Sequence, residues 1–394
     1  MNEDRAALFG LVRSALTQTP FSQAIIDEET FYRQSRENGV SGLFYPVLDA
    51  TKISPKYYEK YRHEHYRYQA QDALYLSEIK AIKTHFSNRD IPFIFLKGAN
   101  LKQIYPMSYM RAMGDIDILI HEQDHESIPS LMSALGYRLD TKGITHDLYL
   151  KGRGLIVEVH HRIDAHFHEA HIDVLQDAWQ RKIPVEGSEY RLSHEDELIY
   201  LLAHLAKHMY SSGVGIRSVL DIGIFMKAYE TSLDRARVHA LIAQAGLMTF
   251  FSNLLALNQS WFHVEFHEAY NVPTISDVFY DDITNYVIGS GIHGHAAGFN
   301  QALPGITKVA VRDQTVRRSR IKYLFRVMFP KYKELLPAHP VLKRWKILLP
   351  WFWVKRWFRL IFKQTRRSIR KLKAVNVDSE TIATHMALFQ ELGL

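Results

Sequence analysis

The chain has 394 residues, no cysteine and a formal charge of +7, with 47% hydrophobic and 23% charged residues. That is the composition of an ordinary folded protein, long enough for two or three domains, and it excludes disulfides and thiolate–zinc centres. Neither a secretory leader nor an apolar window of about 18 residues is visible, so a cytoplasmic protein without a membrane span is expected.

Residues 1–88 read as a helical region. FYRQSRENGVSGLFYPVLDA spaces its apolar residues at helical intervals around a turn at Gly39, and KYYEKYRHEHYRYQAQDALYLSEIKAIKTHF predicts one long helix with a polar face. The pattern changes at residue 89. IPFIFLKG is a short β-rich run, ANLKQIY a short helix and GDIDILI a second strand; DHESIPSLMSALG follows as a helix stopped by Gly136. HDLYLKGRGLIVEVHHRI predicts a hairpin turning at Gly152–Gly154. A small mixed α/β segment therefore spans 89–165. Helical periodicity returns over 166–300, where Ser193 is an N-cap for LSHEDELIYLLAHLAKHMY. Residues 301–394 are helical, punctuated by proline, and basic. Lys343 to Lys373 carries twelve Lys or Arg and no Asp or Glu, so the rest of the chain, at +7 less twelve, is mildly acidic.

The stretch RAMGDIDILI carries the chemistry. Strand residues i and i+2 share a face, so Asp115 and Asp117 project together while Ile116 and Ile118 face the other way. Two carboxylates in an apolar run call for a cation, and magnesium takes oxygen ligands of this kind. LIVEVHHRI offers a third acid, Glu158, mid-strand among valines; if the two strands are neighbours, three acids converge as in sites that hold two ions for phosphoryl displacement. The competing reading is an edge or loop pair neutralised by Arg111 and Lys97.

KGANLKQIYPMSYMRAMGDIDILI resembles the nucleotidyltransferases of the polymerase-beta-like superfamily, in particular an uncharacterised bacterial branch, through Leu96, Lys97, Gly98, Tyr105, Arg111, Gly114, Asp115 and Asp117. VEVHHRI is similar to that branch's third-carboxylate strand, with Glu158 and His160; LLAHLAKHMYSSGVGIRSVLDIGIF resembles its helical segment, with His204, His208, Arg217 and Asp221. NGVSGLFYPVL and LFRVMFPKY are family-like too, so the resemblance spans most of the chain. It implies an α+β fold, a small mixed sheet with flanking helices embedded between N- and C-terminal helical regions. It also implies transfer of a nucleoside monophosphate from an NTP to an acceptor hydroxyl, on a small molecule, protein or RNA, with release of pyrophosphate. Mg²⁺ on Asp115, Asp117 and Glu158 is the implied cofactor. Nucleotide and phosphate contacts are implied for Lys97, Gly98, Arg111, Gly114, His160, His204, His208, Arg217 and Asp221. Two departures stand out: Gly98-Ala99 replaces the usual Gly-Ser, leaving phosphate binding to backbone N–H groups and to Lys97 or Arg111, and the third acid is Glu where Asp is commoner.

Three other features have plainer readings. His204 and His208, at i and i+4, have metal-ligand spacing, but AHLAKH lacks the acid of a zincin motif. The five histidines of HHRIDAHFHEAH read as solvated or site-lining rather than as a zinc centre, and GSGIHG, with no strand before it, reads as a turn rather than a dinucleotide loop. WKILLPWFWVKRWFRLIFKQTRRSIRKLK holds four of the six tryptophans among its basic residues. Peripheral contact through 343–373 with anionic lipid at the inner face of the membrane is one expectation; RNA, or the protein's own body, are others. A non-catalytic module of the same fold that binds through this segment is the alternative function.

Overall fold

The computed structural model describes residues 3–394 except 144, 153, 163–168, 295, 297, 314, 317, 337–338 and 363–374. Three helices come first: α1 (Glu3–Thr17), α2 (Glu28–Glu37), capped by the Asp27 carboxylate, and α3 (Pro55–Ser87). Proline at the first position of α3 starts a run of 33 residues, about 50 Å at 1.5 Å per residue. Tyr57, Tyr61, Tyr68, Tyr75, Ile82 and Phe86 recur at intervals of four and seven, so this helix buries one stripe and leaves its charged face in water. Gly42 lets the chain lie against that stripe: a Cβ there would sit 2.2 Å from the Tyr68 ring.

The sheet has seven strands: β1 (Phe93–Leu96), β2 (Ile116–Ile120), β3 (Arg138–Lys142), β4 (His146–Lys151), β5 (Leu155–His160), β6 (Ile183–Glu186) and β7 (Glu189–Arg191). Their order is β3-β4-β5-β2-β1-β7-β6. The fold is thus α+β, as the resemblance implied, but β6 and β7 arise from a stretch that had read as helical and extend the sheet past β1. β1 runs antiparallel to β2 and β2 parallel to β5, with Asp117 opposite both Leu96 and Glu158. One face of the sheet buries Phe93, Phe95, Ile116, Ile118, Ile120, Val157 and Val159 against Ile82 and Phe86 of α3 and against α5, Ile128–Ala134. The short helix α4 (Gly98–Leu101) lies between β1 and β2.

The other face meets a larger core. After α6 (Glu169–Leu175) come α7 (His194–Met209), α8 (Ile216–Tyr229), α9 (Arg235–Gln244), α10 (Met248–Phe262) and α11 (Asp277–Ser290). Ser193 caps α7, accepting the Asp196 N–H as expected. Ile94, Leu96 and Leu119 from the sheet, Leu8 and Leu11 from α1 and Trp261 from α10 all belong to this core. GSGIHG ends α11 and turns, with positive φ at Gly291 and Gly294. The chain closes with α12 (Leu303–Asp313), α13 (Ser319–Met328), α14 (Tyr332–Leu335), α15 (Leu349–Phe362) and α16 (Ser379–Leu392), whose Leu388, Phe389 and Leu392 return to the main core. Among the described residues no single helix is long and apolar enough to cross a bilayer.

Candidate functional site

Alternation along β2 and β5 decides what reaches the cleft. Ile116, Ile118, Val157 and Val159 turn to the apolar layer, so Asp115, Asp117, Glu158 and His160 point together to the other side. The approach to β2 is fixed from α3, where Tyr75 donates its hydroxyl to the Gly114 carbonyl at 2.7 Å and Gln71 donates to that of Met113 at 3.0 Å. Oxygen atoms of Asp115, Asp117 and Glu158 lie within 4.8 Å of one another, a spacing that one divalent cation, or two, can bridge. This is the convergence expected if β2 and β5 were neighbours, and they are.

The three acids are not equivalent. Lys97 Nζ donates to Asp117 Oδ1 at 2.8 Å, and His160 Nε2 meets the same oxygen at 3.0 Å. Burial works to raise the Asp117 pKa, but Lys97 and His160 outweigh it and hold this carboxyl well below the usual range. Asp115 is not bonded in this way: the negative Asp117 beside it, and then burial, push it up to about 6 against the more distant charges of Lys97 and Arg111. For Glu158, burial raises and a contact from His160 lowers, with a net downward shift. The imidazole of His160 is itself shifted up, because its bonds to Asp117 and Glu158 outweigh burial. Lys97 therefore bonds one acid of the pair and acts on the other only through its charge. Lys97 also has φ +49°, rare for a side chain other than glycine, at the junction of β1 and α4. Strain of this kind collects at functional positions.

Arg111 acts on Asp115 only from a distance, lowering its pKa, and is bonded elsewhere. Its Nε donates to both Asp221 oxygens, at 2.7 and 3.0 Å, and Tyr105 donates its hydroxyl to Asp221 Oδ1 at 2.7 Å. Asp221, on α8, was expected to contact the nucleotide; here its carboxylate is taken up in positioning Arg111. Arg217, one turn earlier on α8, lies near both; burial, and then Arg111, lower its pKa. His204 and His208 of α7 stand with their Nε2 atoms 3.1 Å apart, and His208 Nδ1 is 2.9 Å from the Ser212 hydroxyl.

All twelve residues singled out from the sequence, from Lys97 and Gly98 through Arg111, Gly114, the three acids and His160 to His204, His208, Arg217 and Asp221, line one cleft of about 700 Å³. The cleft also takes Arg36 from α2, Arg67 and Tyr68 from α3, His146 from β4, and Tyr200 and Lys207 from α7. Sequence reasoning missed these. Arg36 and Arg67 sit on helices that look purely structural, and no local motif marks them. His146 had a signal: it stands opposite His160 in the hairpin. Of the histidine-rich tract, His160 reaches the cleft, while positions 163–168 lie outside the described residues.

A family model described as an uncharacterised nucleotidyltransferase matches residues 25–263, more than half of the chain and the whole of the cleft lining except Ile292. Among solved structures the chain is similar to that of the antibiotic-resistance factor ANT(2'')-Ia, described as showing substrate-regulated conformation dynamics. The two are 15% identical with a TM-score of 0.33, and the match covers 49% of this chain and 99% of the other; at that score it carries no argument. No curated protein matches. On the family match alone the chain belongs to the uncharacterised nucleotidyltransferase family and is a nucleotidyl-transferring enzyme.

Proposed function

We propose that this enzyme transfers a nucleoside monophosphate from a nucleoside triphosphate to an acceptor hydroxyl, releasing pyrophosphate, with magnesium as its ion. The observation that carries the reading is the meeting of Asp115, Asp117 and Glu158 within 4.8 Å at one end of the cleft. Their donor set is all oxygen, which suits a hard divalent cation, and the crowding of Asp115 against the charge of Asp117, which raises its pKa, is of the kind a bound cation relieves. These three residues would hold the ion, which when bound supplies positive charge to the phosphates and lowers the pKa of the acceptor hydroxyl. The chain's own residues do the rest. Lys97 and His160 keep Asp117 ionised and fix its orientation. Arg111, clamped by Asp221, joins Arg36, Arg67 and Arg217 in a cationic lining that offsets triphosphate charge. The acceptor oxygen bonds to the α-phosphorus as the bond to the pyrophosphate oxygen breaks, and the acceptor proton passes to solvent.

Incubation with each α-labelled NTP, Mg²⁺ and a cell extract tests this directly. Label is expected on an acceptor, and Mg²⁺ with the accepted NTP is expected to raise the melting temperature; Asp115→Asn with Asp117→Asn abolishes both effects. Absence of label and of any thermal shift with all four NTPs would remove the proposal.

A second observation supports a partner for the C-terminal region, and the competing function of a pure binding module rests on it. α13, the segment leading into α15 and α15 itself leave Ile347 83%, Ile321 69% and Trp351 64% exposed, with Phe325 and Phe358 also outward. Trp357 and Trp353 instead turn inward, donating to the Met328 and Pro330 carbonyls. Twelve basic residues over 343–373, of which 363–373 lie outside the described residues, complement anionic headgroups. Exposed isoleucines favour lipid over RNA, whose bases stack on aromatic rings. We infer peripheral contact with an anionic bilayer, in keeping with a location at the inner face of the membrane. The full chain is expected to co-sediment with phosphatidylglycerol vesicles and not with phosphatidylcholine alone. Binding of single-stranded RNA without vesicle binding would overturn the lipid assignment, and vesicle binding without label transfer would favour the module.

A further inference from the structure

A second cluster of ligating side chains lies apart from the cleft. His125 belongs to the 3-10 turn Glu122–Ser127 that follows β2, Asp147 is the second residue of β4, and His161 is the first after β5. Adjacent strand residues face opposite ways, so His146 looks into the cleft beside Glu158 and His160 while Asp147 looks out of the other face. There one ligand atom from each of His125, Asp147 and His161 lies within 4.8 Å of the others. None of the three lines the cleft.

The surroundings of each group suit an ion held among them. Asp147 is 1% exposed; its Oδ1 accepts the Gly143 N–H at 3.1 Å, and its Oδ2 lies 2.9 Å from His125 Nε2. The two imidazoles lie close, with centroids 4.2 Å apart and planes tilted by 36°. Both ring nitrogens of His161 are shielded from solvent and have no hydrogen-bond partner among the described residues. Buried polar atoms without partners are rare in folded proteins, because each forfeits its hydration and receives nothing back. A carboxylate and two imidazoles sharing one small volume would all be satisfied by a cation bound between them. The donor set is two nitrogens and one oxygen, the set of borderline ions rather than of magnesium. Metal bonds of about 2.1 Å at tetrahedral angles hold ligand atoms about 3.4 Å apart, within the separation seen. Asp147 already has the outer support that ligating carboxylates use, in the Gly143 N–H.

We propose that His125, Asp147 and His161 form a zinc site that ties the turn after β2 and the start of β4 to the end of β5. Water completes the coordination. The neighbouring Arg162–Glu122 ion pair joins two of the same segments. The site thereby secures the strand ends that present Asp117, Glu158 and His160 to the cleft. His161 belongs to the histidine-rich tract that reads from sequence as solvated or site-lining rather than as a zinc centre; its partners lie outside that tract, with the three ligands 22 and 14 residues apart and no short motif among them.

The test uses tag-free full-length protein, stripped with a chelator and returned to Zn²⁺ alone. Elemental analysis after gel filtration is expected to find one retained equivalent, with a raised melting temperature, and Co²⁺ in its place is expected to give tetrahedral visible absorption. Asp147→Asn and His161→Gln should each weaken retention at least about tenfold. Asp115→Asn with Asp117→Asn, and His146→Gln, should leave it intact, so failure here is distinct from failure of the transfer reaction. If Asp147→Asn does not fold by circular dichroism, His161→Gln carries the comparison. No retained zinc in the wild type, retention unchanged in His161→Gln, or loss in His146→Gln would each overturn the assignment.

Discussion

Asp115 and Asp117 stand two residues apart on one strand face, yet the fold treats them oppositely: one is bonded by Lys97 and His160, while the other is raised by its neighbour's charge and by burial against the more distant Lys97 and Arg111. Their shared direction was legible in the sequence because strand periodicity is two. Which acid would be satisfied was not, because that depends on where β1 ends relative to β2. Arg111 teaches the same lesson. Its charge was visible, but its engagement with Asp221, 110 positions away, was not. Outside the cleft, Glu197 is a buried acid whose pKa burial raises to about 7 from the usual 4.5, against a hydrogen bond from Asn100 at 3.1 Å. Between those two values the folded state keeps a proton that the unfolded chain has lost, so stability falls as pH rises from 4.5 to 7 and then levels off. Glu197→Gln keeps an acceptor for Asn100 and has no charge to bury. Its unfolding free energy is expected to gain on the wild type across that window, by about 3 kcal/mol in all by pH 8. Urea denaturation at pH 4.5 to 8.5 reads the gap; a gap that does not change with pH would show that Glu197 ionises normally.

At the scale of elements, the strands that carry chemistry were the readable ones. GDIDILI and LIVEVH alternate cleanly because one face is apolar and the other polar. IPVE and EYR, which became β6 and β7, are too short to show a period, and their pairing with β1 is a tertiary event. The helix positions that matter most for packing were equally silent. Gly223 lies mid-helix in α8, where alanine would ordinarily improve helix propensity by about 1 kcal/mol. A Cβ there would fall 2.1 Å from Asn258 Oδ1 on α10, and Asn258 is fully buried, donating to the Val219 and Leu254 carbonyls. Gly223→Ala is therefore expected to destabilise by about 2 kcal/mol, since the amide must break its bonds or the helices part. The urea midpoint measures it, and a raised midpoint would show that the helices yield freely. Arg217 and Asp221 ride on the same helix, so its seating bears on the cleft.

For the molecule as a whole, the cleft is assembled from parts that are remote in the chain. Arg36 and Arg67 come from the first helices, the acids from the sheet, and Arg217 from α8, while α16 closes the core that supports them. A motif search finds the middle of this list and overlooks its ends, because a cation on a polar helix reads as solvated surface until the fold sets it beside the cleft, where Arg36 and Arg67 both pair with Glu64 and stay half exposed. The sheet's edges carry their own signature. β3 is exposed along all five residues, RLDTK, and its charges discourage pairing with another chain.

The pairing of β2 with β5 aligns Asp117 with Glu158. This alignment determines which changes in chain length the family can absorb. Loss of a single residue between 155 and 158 would swing Glu158 into the oily layer and offer a valine in its stead, whereas a loss at the Gly152–Gly154 bend costs only loop. Removing Val157 should thus erase label transfer while removing Gly154 spares most of it, and equal damage from both would mean the strand can slide to recover.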